Sequence, residues 1–452
     1  MVFFLVALII AMRLGVQTND DTNSYFYLLN GSFIENIPDL VRPLGYPLFF
    51  LLTVKLLPSA HFHSIVILQS ALYALSAMFL YLLASRMISN RLCLALCMLF
   101  LLFNYNTTSY VSLLGPETLT LFLITAFVCY VGLTLHRLSN VDSIVMIVLM
   151  TFLAFTKPNF LYYPICVACY MLFLKLFRVI SLHQFAVFIL SSVLLFIVPV
   201  VCWSYGNKIR SNYFTFSVIQ EINITEKVIR YDLWERGPKT IDGVPVKTLL
   251  QKLYTKNTTI YGVMQTLQNS VQPSDLYTFP RVFSDFGRIT FLNNLPTYVA
   301  KSIQLVPQTF FLLIPIKGVY YQLSKSHAIV SATNVSWASS LIHAYISTYI
   351  TLYFSVLTPM ILLFVGLGIV YVIHDGIAMA KKEITKEEIF FIFLFATVLY
   401  YSLIVDFGAY DQFDRMFAPM NFVVILLFFM VTDRTISIVK TCIHATPKRI
   451  KR

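Results

Sequence analysis

Apolar runs and short polar turns alternate along most of this chain. Residues 1–14, 62–84, 91–104, 117–135, 142–156, 160–175, 185–205, 346–373, 388–405 and 415–432 each read as an apolar helix. Runs of roughly 20 residues match a hydrocarbon core of ~30 Å; the third and fifth are short unless they extend into their flanks. One stretch breaks the rhythm. Residues 207–290 mix Lys, Arg, Asp, Asn and Tyr, which predicts a small domain outside the bilayer. In 297–322, Lys301, Gln304, Gln308 and Lys317 punctuate an apolar face, the pattern of a helix lying at the interface. An eleventh span there would need another crossing before Lys381, and parity disfavours it.

The pattern predicts an all-α polytopic membrane protein of about ten transmembrane helices, with an extracytoplasmic loop region and interfacial helices. Three parts follow: a transmembrane module over 1–205 with a polar first loop at 15–61, a loop region over 206–345, and C-terminal helices with a basic tail over 346–452. Arg86 and Arg91, His136 and Arg137, Lys175 and Arg178, Lys381 and Lys382, and the tail all fall on the side of the N-terminus. The excess of cations on that side predicts that it is cytoplasmic.

Composition agrees. The chain of 452 residues is 58% hydrophobic and 12% charged, whereas soluble chains carry about 25% charged residues. A net charge of +12 on such a chain fits cytoplasmic loops and contact with anionic lipid, and a nucleic-acid partner is not expected. Met1 to Met12 has no basic segment before it and no small-residue cleavage site after it, so it reads as an uncleaved first span. The seven cysteines fall mostly within apolar runs as small hydrophobes, including the Cys166-x-x-Cys169 pair.

The polar residues at the span edges on the other side carry the candidate chemistry. Asp20 and Asp21 follow the first span directly. Arg42, Glu117, Lys157, Asn159, Lys208, Arg210, Asn212, Asp406, Asp411, Asp414 and Arg415 lie at the same level. Ionisable groups at membrane depth are rare and mark functional sites. A carboxylate there suits a general base; cations suit a phosphate, through charge-assisted hydrogen bonds. Plainer roles stand beside these: headgroup anchoring for Arg42 and Arg415, a helix-dipole partner for Glu117, a span boundary at Lys157-Pro158, and solvated loop charges for Asp411 and Asp414.

Read in order, Asp21-Thr22-Asn23-Ser24-Tyr25 and Arg42-Pro43-Leu44-Gly45-Tyr46-Pro47 resemble the first loop of GT-C superfamily glycosyltransferases. In the bacterial relatives of protein mannosyltransferases and of the lipid A aminoarabinose transferase, that loop reads D-x-x-x-Y and R-P-P-G-Y-P. Gly115-Pro116-Glu117, Thr156-Lys157-Pro158-Asn159, Trp203 with Arg210 and Asn212, and Asp411 to Pro419 resemble further segments of that family in the same order. Leu44 replaces a proline, Met416 a tyrosine, and the last segment has aspartate where glutamate is usual.

The resemblance implies a GT-C-like fold and transfer of a sugar from a polyprenyl-phosphate donor to a lipid, glycan or protein acceptor, with inversion. It implies Asp21 as general base with Asp20 second, and Arg42, Lys157 and Arg415, with Glu117 and Arg210, as donor contacts. Tyr25 and Tyr46 would line the sugar cavity. The resemblance leaves the cofactor open: some relatives hold a divalent metal, for which His61 and His63 are available ligands. The compact motifs point to a bacterial inner membrane with the site on its extracytoplasmic face. In a eukaryote, the sequons at Asn30, Asn106, Asn223, Asn257 and Asn334 would face glycosylation. Two other classes fit the hydrophobic pattern: a transporter or flippase, which needs charged or broken spans at mid-depth, and a glycan ligase or polymerase working through loop arginines such as Arg230, Arg236, Arg281 and Arg288.

Overall fold

The computed structural model describes residues 1–18, 22–26, 28, 39–56, 61–134, 138–254, 260–271, 278–304, 344–345, 347–348, 351–352, 358–380, 384–408 and 416–445. Among the described residues the chain is all-helical and has no β-strand. The first part comprises α1 (Val2–Leu14), α2 (Gly45–Leu56), α3 (His61–Met87), α4 (Arg91–Leu102), α5 (Tyr105–Ser109), α6 (Glu117–Thr134), α7 (Asn140–Thr156), α8 (Tyr163–Leu176) and α9 (Leu182–Ser211). A second group follows: α10 (Val218–Arg230), α11 (Val246–Leu253), α12 (Ile260–Val271), α13 (Thr278–Asn293) and α14 (Leu295–Ile303). The chain closes with α15 (Thr358–Ala380), α16 (Lys386–Gly408) and α17 (Asn421–Ala445).

Seven helices among the described residues are long and apolar enough to cross a membrane, the make-up of an integral, multi-pass helical protein. Three other predicted spans appear as shorter apolar helices: Val2–Met12, Asn140–Thr156 and Leu363–Ala378. The helix α2 was not expected, because its Gly45-Tyr46-Pro47 start reads as loop. Its 12 residues extend about 18 Å, too short for a crossing.

Polar residues start several helices. Asn90 accepts from the N–H groups of Leu92 and Cys93, and Asn104 accepts from Thr107. Ser139 with Asp142 and Ser181 with Gln184 form reciprocal capping boxes. In α9 a π turn at Val193–Ile197 precedes Pro199, whose ring lacks an N–H and disturbs the ladder before it. The helix then runs unbroken to Ser211, well past the predicted exit at 205. Its 30 residues reach about 45 Å, so its last turns leave the apolar layer. It ends at Asn212 in the left-handed conformation, φ 56°.

Two cores result. The larger is built from α1, α3 to α9 and α15 to α17. The second joins Leu40 of the first loop to Val218, Ile222 and Ile229 of α10, Val246 and Leu250 of α11, Val263 of α12, and Phe279, Phe283 and Phe286 of α13. The predicted mixed region 207–290 is therefore a helical subdomain, with α10 against α13 as its main pair. Gly287 permits that crossing: a Cβ there would lie 2.9 Å from Thr225 Cα. Of the predicted interfacial helix 297–322, α14 is the described portion; 305–322 lie outside the described residues.

At one end of the larger core, Asp433 accepts from the Ser89 N–H and hydroxyl and from the Asn90 N–H. Arg434 donates to both oxygens of Asp375 and to Glu388. Gln184 donates to Leu138 O. These contacts join turns that parity assigned to one side. All seven cysteines are free thiols. Two sequons are closed by the fold. Asn106 is buried in α5, and Thr225, the hydroxyl residue of the Asn223 sequon, is buried and donates to Glu221 O and Phe283 O. Asn30, Asn257 and Asn334 lie outside the described residues.

Candidate functional site

The opposite end of the bundle gathers most of the predicted site residues that are described. Segment 39–42 is clasped against the second core. Val218 N–H donates to Leu40 O at 3.1 Å, and the Ser217 hydroxyl donates to Val41 O at 2.7 Å. Asp39 turns back to accept the N–H groups of Val41 (2.9 Å) and Arg42 (2.6 Å). This local turn aims the Arg42 side chain inward, where it is only 8% exposed. Burial pushes the Asp39 carboxyl up from its ordinary value; those two N–H groups and the charges of Arg42 and Arg210 oppose the rise. Arg210, on the last turn of α9, thus shares an acidic neighbour with Arg42, although its own side chain is exposed.

From Arg42 the site runs inward through aromatic rings. Its Nε donates to Ser24 Oγ at 2.7 Å, and its guanidinium lies 4.5 Å from the centroid of the Tyr25 ring, a cation–π geometry. Tyr25 meets Tyr46 edge-on at 5.1 Å. The Tyr46 hydroxyl donates to Gln69 Oε1 at 3.2 Å, while Gln69 Nε2 donates to Val111 O and Leu113 O. Burial, and then the Glu117 charge beside it, hold the Tyr46 hydroxyl protonated well above its ordinary value.

Glu117 opens α6 and is 2% exposed. Its carboxylate lies at the helix N-terminus, where the macrodipole favours an anion, and its Oε1 is 4.0 Å from Lys157 Nζ. Lys157, 5% exposed, ends α7 in an extended conformation that Pro158 enforces. Around it, Gln220 Nε2 donates to Pro158 O at 2.6 Å, Tyr400 donates to Asn159 O at 2.9 Å, and Tyr401 donates to Met416 O at 2.6 Å. Gly45 makes the close approach of α2 to α7 feasible, since a Cβ there would sit 2.6 Å from Thr156 N.

The described predicted residues thus form one connected set: Arg42, Tyr25, Tyr46, Glu117 and Lys157, with Arg210 reaching it through Asp39. Asp20, Asp21, Asp411, Asp414 and Arg415 lie outside the described residues. Thr22, which follows Asp21, donates to Leu114 O at 3.2 Å, and Met416, which follows Arg415, accepts from Asn159 Nδ2 at 3.6 Å. Asn212 and Trp203 have structural work instead. Asn212 caps α9, and Trp203 Nε1 donates to Phe216 O. Lys208 is exposed on α9. Sequence reasoning missed Asp39, Gln69 and Gln220. The signal for Gln69 is a carboxamide within an otherwise apolar helix; Asp39, three residues before Arg42, has the spacing of a local turn.

His63 is exposed and joins no group of three metal-ligating side chains among the described residues; nothing is described of the His61 side chain. The one group of that kind described is His374, Asp375 and Glu388, at the other end of the bundle. It does not fit a metal, because the Arg434 guanidinium already donates to both its carboxylates while stacking 4.6 Å from the Tyr371 ring centroid.

No known protein family matches this chain, and no curated protein is similar to it.

Proposed function

We propose that the protein is a membrane-embedded glycosyltransferase that takes a sugar from a polyprenyl-phosphate donor, in the manner of the GT-C superfamily. The observation that carries the reading is the connected, buried set of Arg42, Tyr25, Tyr46, Glu117 and Lys157, drawn from four separate segments to one end of an apolar bundle. Both buried cations already have a carboxylate neighbour, Asp39 beside Arg42 and Glu117 beside Lys157, and cations held in place in this way suit the charge-assisted binding of a phosphate. Aromatic rings lining the same set suit the apolar faces of a sugar.

In this reading the donor phosphate lies against Arg42 and Lys157, with Arg415 and Arg210 adding positive charge. Glu117, 4.0 Å from the Lys157 ammonium, aims that side chain. Asp21 takes the proton from the acceptor hydroxyl as the acceptor oxygen bonds to the anomeric carbon. The bond from that carbon to the phosphate oxygen breaks on the opposite face, and polyprenyl phosphate leaves with the electron pair. The cations stabilise charge as it grows on the leaving group. The acceptor is a lipid, glycan or protein, and the reading includes an extracytoplasmic site in a bacterial inner membrane.

The test is ligand-induced stabilisation of the purified chain in nanodiscs. A polyprenyl-phosphate sugar at about 100 times Kd stabilises by about 2.7 kcal/mol. The reading expects that shift in the wild type and its loss in Arg42→Gln, with polyprenyl alcohol inactive in both. An equal shift in Arg42→Gln, or none in the wild type, overturns the donor site.

A further inference from the structure

One cleft lies apart from this site. It opens between the C-terminal end of α10 and α11, with a volume of about 450 Å³. Its walls carry Arg230, Asp232, Trp234, Gln251 and Tyr254, and its floor is the apolar pair Ile229 and Leu250. The size falls within the roughly 300–1,000 Å³ of small-molecule pockets. We propose that this cleft binds a saccharide, and that the saccharide is the glycan of the acceptor; the acceptor role rests on the transferase reading, the saccharide site does not.

The chemistry of the walls selects the ligand class. Two aromatic rings offer flat apolar faces to the C–H faces of a sugar ring. A guanidinium, a carboxylate and a carboxamide offer paired donors and acceptors, which match vicinal hydroxyls. The charges nearly cancel: Arg230 is already met by Glu226, and Asp232 repels a phosphate. A lipid tail has no use for three such groups, and among the described wall residues the one cation, Arg230, is met by Glu226 and shares the walls with Asp232.

The walls are held in place before any ligand arrives. Glu226 accepts from Arg230 Nε at 2.7 Å, from the Tyr254 hydroxyl at 2.9 Å and from Ile260 N–H at 2.6 Å. One carboxylate therefore fixes two wall residues and the start of α12. Beside Trp234, Lys247 Nζ lies 5.8 Å from the ring centroid and donates to Glu235 O. Preorganisation of this kind lowers the entropy lost on binding.

Asp232 stands at the cleft wall as part of the end of α10. It sits just past α10 at φ 57°, the left-handed position where glycine is preferred. A glycine would end the helix at lower strain, yet an acidic side chain stands there at the cleft wall. Aspartate tolerates this conformation, so Asp232→Gly separates the carboxylate's part in binding from the turn's part in folding. The placement also suits an acceptor. The helix α10 passes from Gln220, bonded to Pro158 at the candidate transferase site, to Arg230 at the cleft. Ten residues of helix span about 15 Å, the reach of a short oligosaccharide.

The experiment is saturation-transfer NMR with the full chain in phospholipid nanodiscs, free of maltoside detergent, which would compete. The probes are cellobiose, maltose, mannobiose and chitobiose, with wild type, Trp234→Ala and Asp232→Gly. The expected result is saturable binding of at least one disaccharide, weakened about tenfold by either variant. Asp232→Gly should keep or raise the thermal midpoint while losing affinity, a split that a merely structural Asp232 would not produce. No signal from any probe at millimolar concentration, or equal signals in all three proteins, overturns the site. Saccharide binding by a protein that transfers no sugar keeps the site and removes its acceptor role; sugar transfer with no saccharide binding removes the site and keeps the transferase.

Discussion

Lys227 is fully buried in α10, and its Nζ has no hydrogen-bond partner among the described residues. It lies 5.7 Å from the ring centroid of Tyr231 and 5.9 Å from that of Tyr298. Burial lowers its pKa from 10.5 to about 7, against the opposing pull of Asp406. The sign follows from comparing the two states. Below about pH 7 both the folded and unfolded chains carry the proton, and the full penalty of a buried charge applies. Between about 7 and 10.5 the folded chain sheds it first, so stability rises with pH. The gap corresponds to about 4–5 kcal/mol, a large fraction of a domain stability of about 5–15 kcal/mol. Replacing Lys227 by Met keeps the length and removes the titration. Hydrogen exchange of α10 amides, corrected for intrinsic rates, reads the effect in the full chain. The wild type should gain protection from about pH 6 to about pH 9, and Lys227→Met should be better protected at the acid end and nearly flat. Parallel profiles for the two proteins would refute the reasoning. So would a variant less protected throughout, since the attraction to Asp406 would then outweigh burial.

Other outcomes follow from the same geometry. Gly45→Ala drives a Cβ into the Thr156 backbone, which cannot swing aside, so the thermal midpoint should fall by the equivalent of about 1–3 kcal/mol. Glu117→Gln leaves Lys157 buried without its carboxylate and should destabilise the chain by about 3–5 kcal/mol, read by the same midpoint. Asp433→Ala strips the acceptor from Ser89 and Asn90 and should cost about 1–3 kcal/mol, without changing donor binding at the far end.

The membrane frame was legible because a soluble fold seldom needs repeated apolar runs of spanning length. The exit of α9 was not. Asn207, Lys208 and Arg210 look like loop, but Asn207 donates to Thr215 O and Trp203 to Phe216 O. The returning chain packs onto the helix and prolongs it. The helix α2 was hidden for a similar reason: Gly45 and Pro47 signal a turn, and only contact with α7 shows why a glycine is needed there. Arg42, Glu117 and Lys157 were legible as polar residues at span edges, and Tyr25 and Tyr46 only through the resemblance of the first loop. Their order of contact was not, because it depends on Asp39 and Gln69, two single side chains that carry no motif.

Sugar transfer by the purified chain in proteoliposomes tests the central claim most directly. With a polyprenyl-phosphate sugar labelled on the sugar and a membrane-extract acceptor, the wild type should release free polyprenyl phosphate and label the acceptor. Asp21→Asn should do neither while keeping the wild-type thermal midpoint. Full transfer by Asp21→Asn, or a wild type that moves the labelled donor across the bilayer without breaking it, would contradict the account.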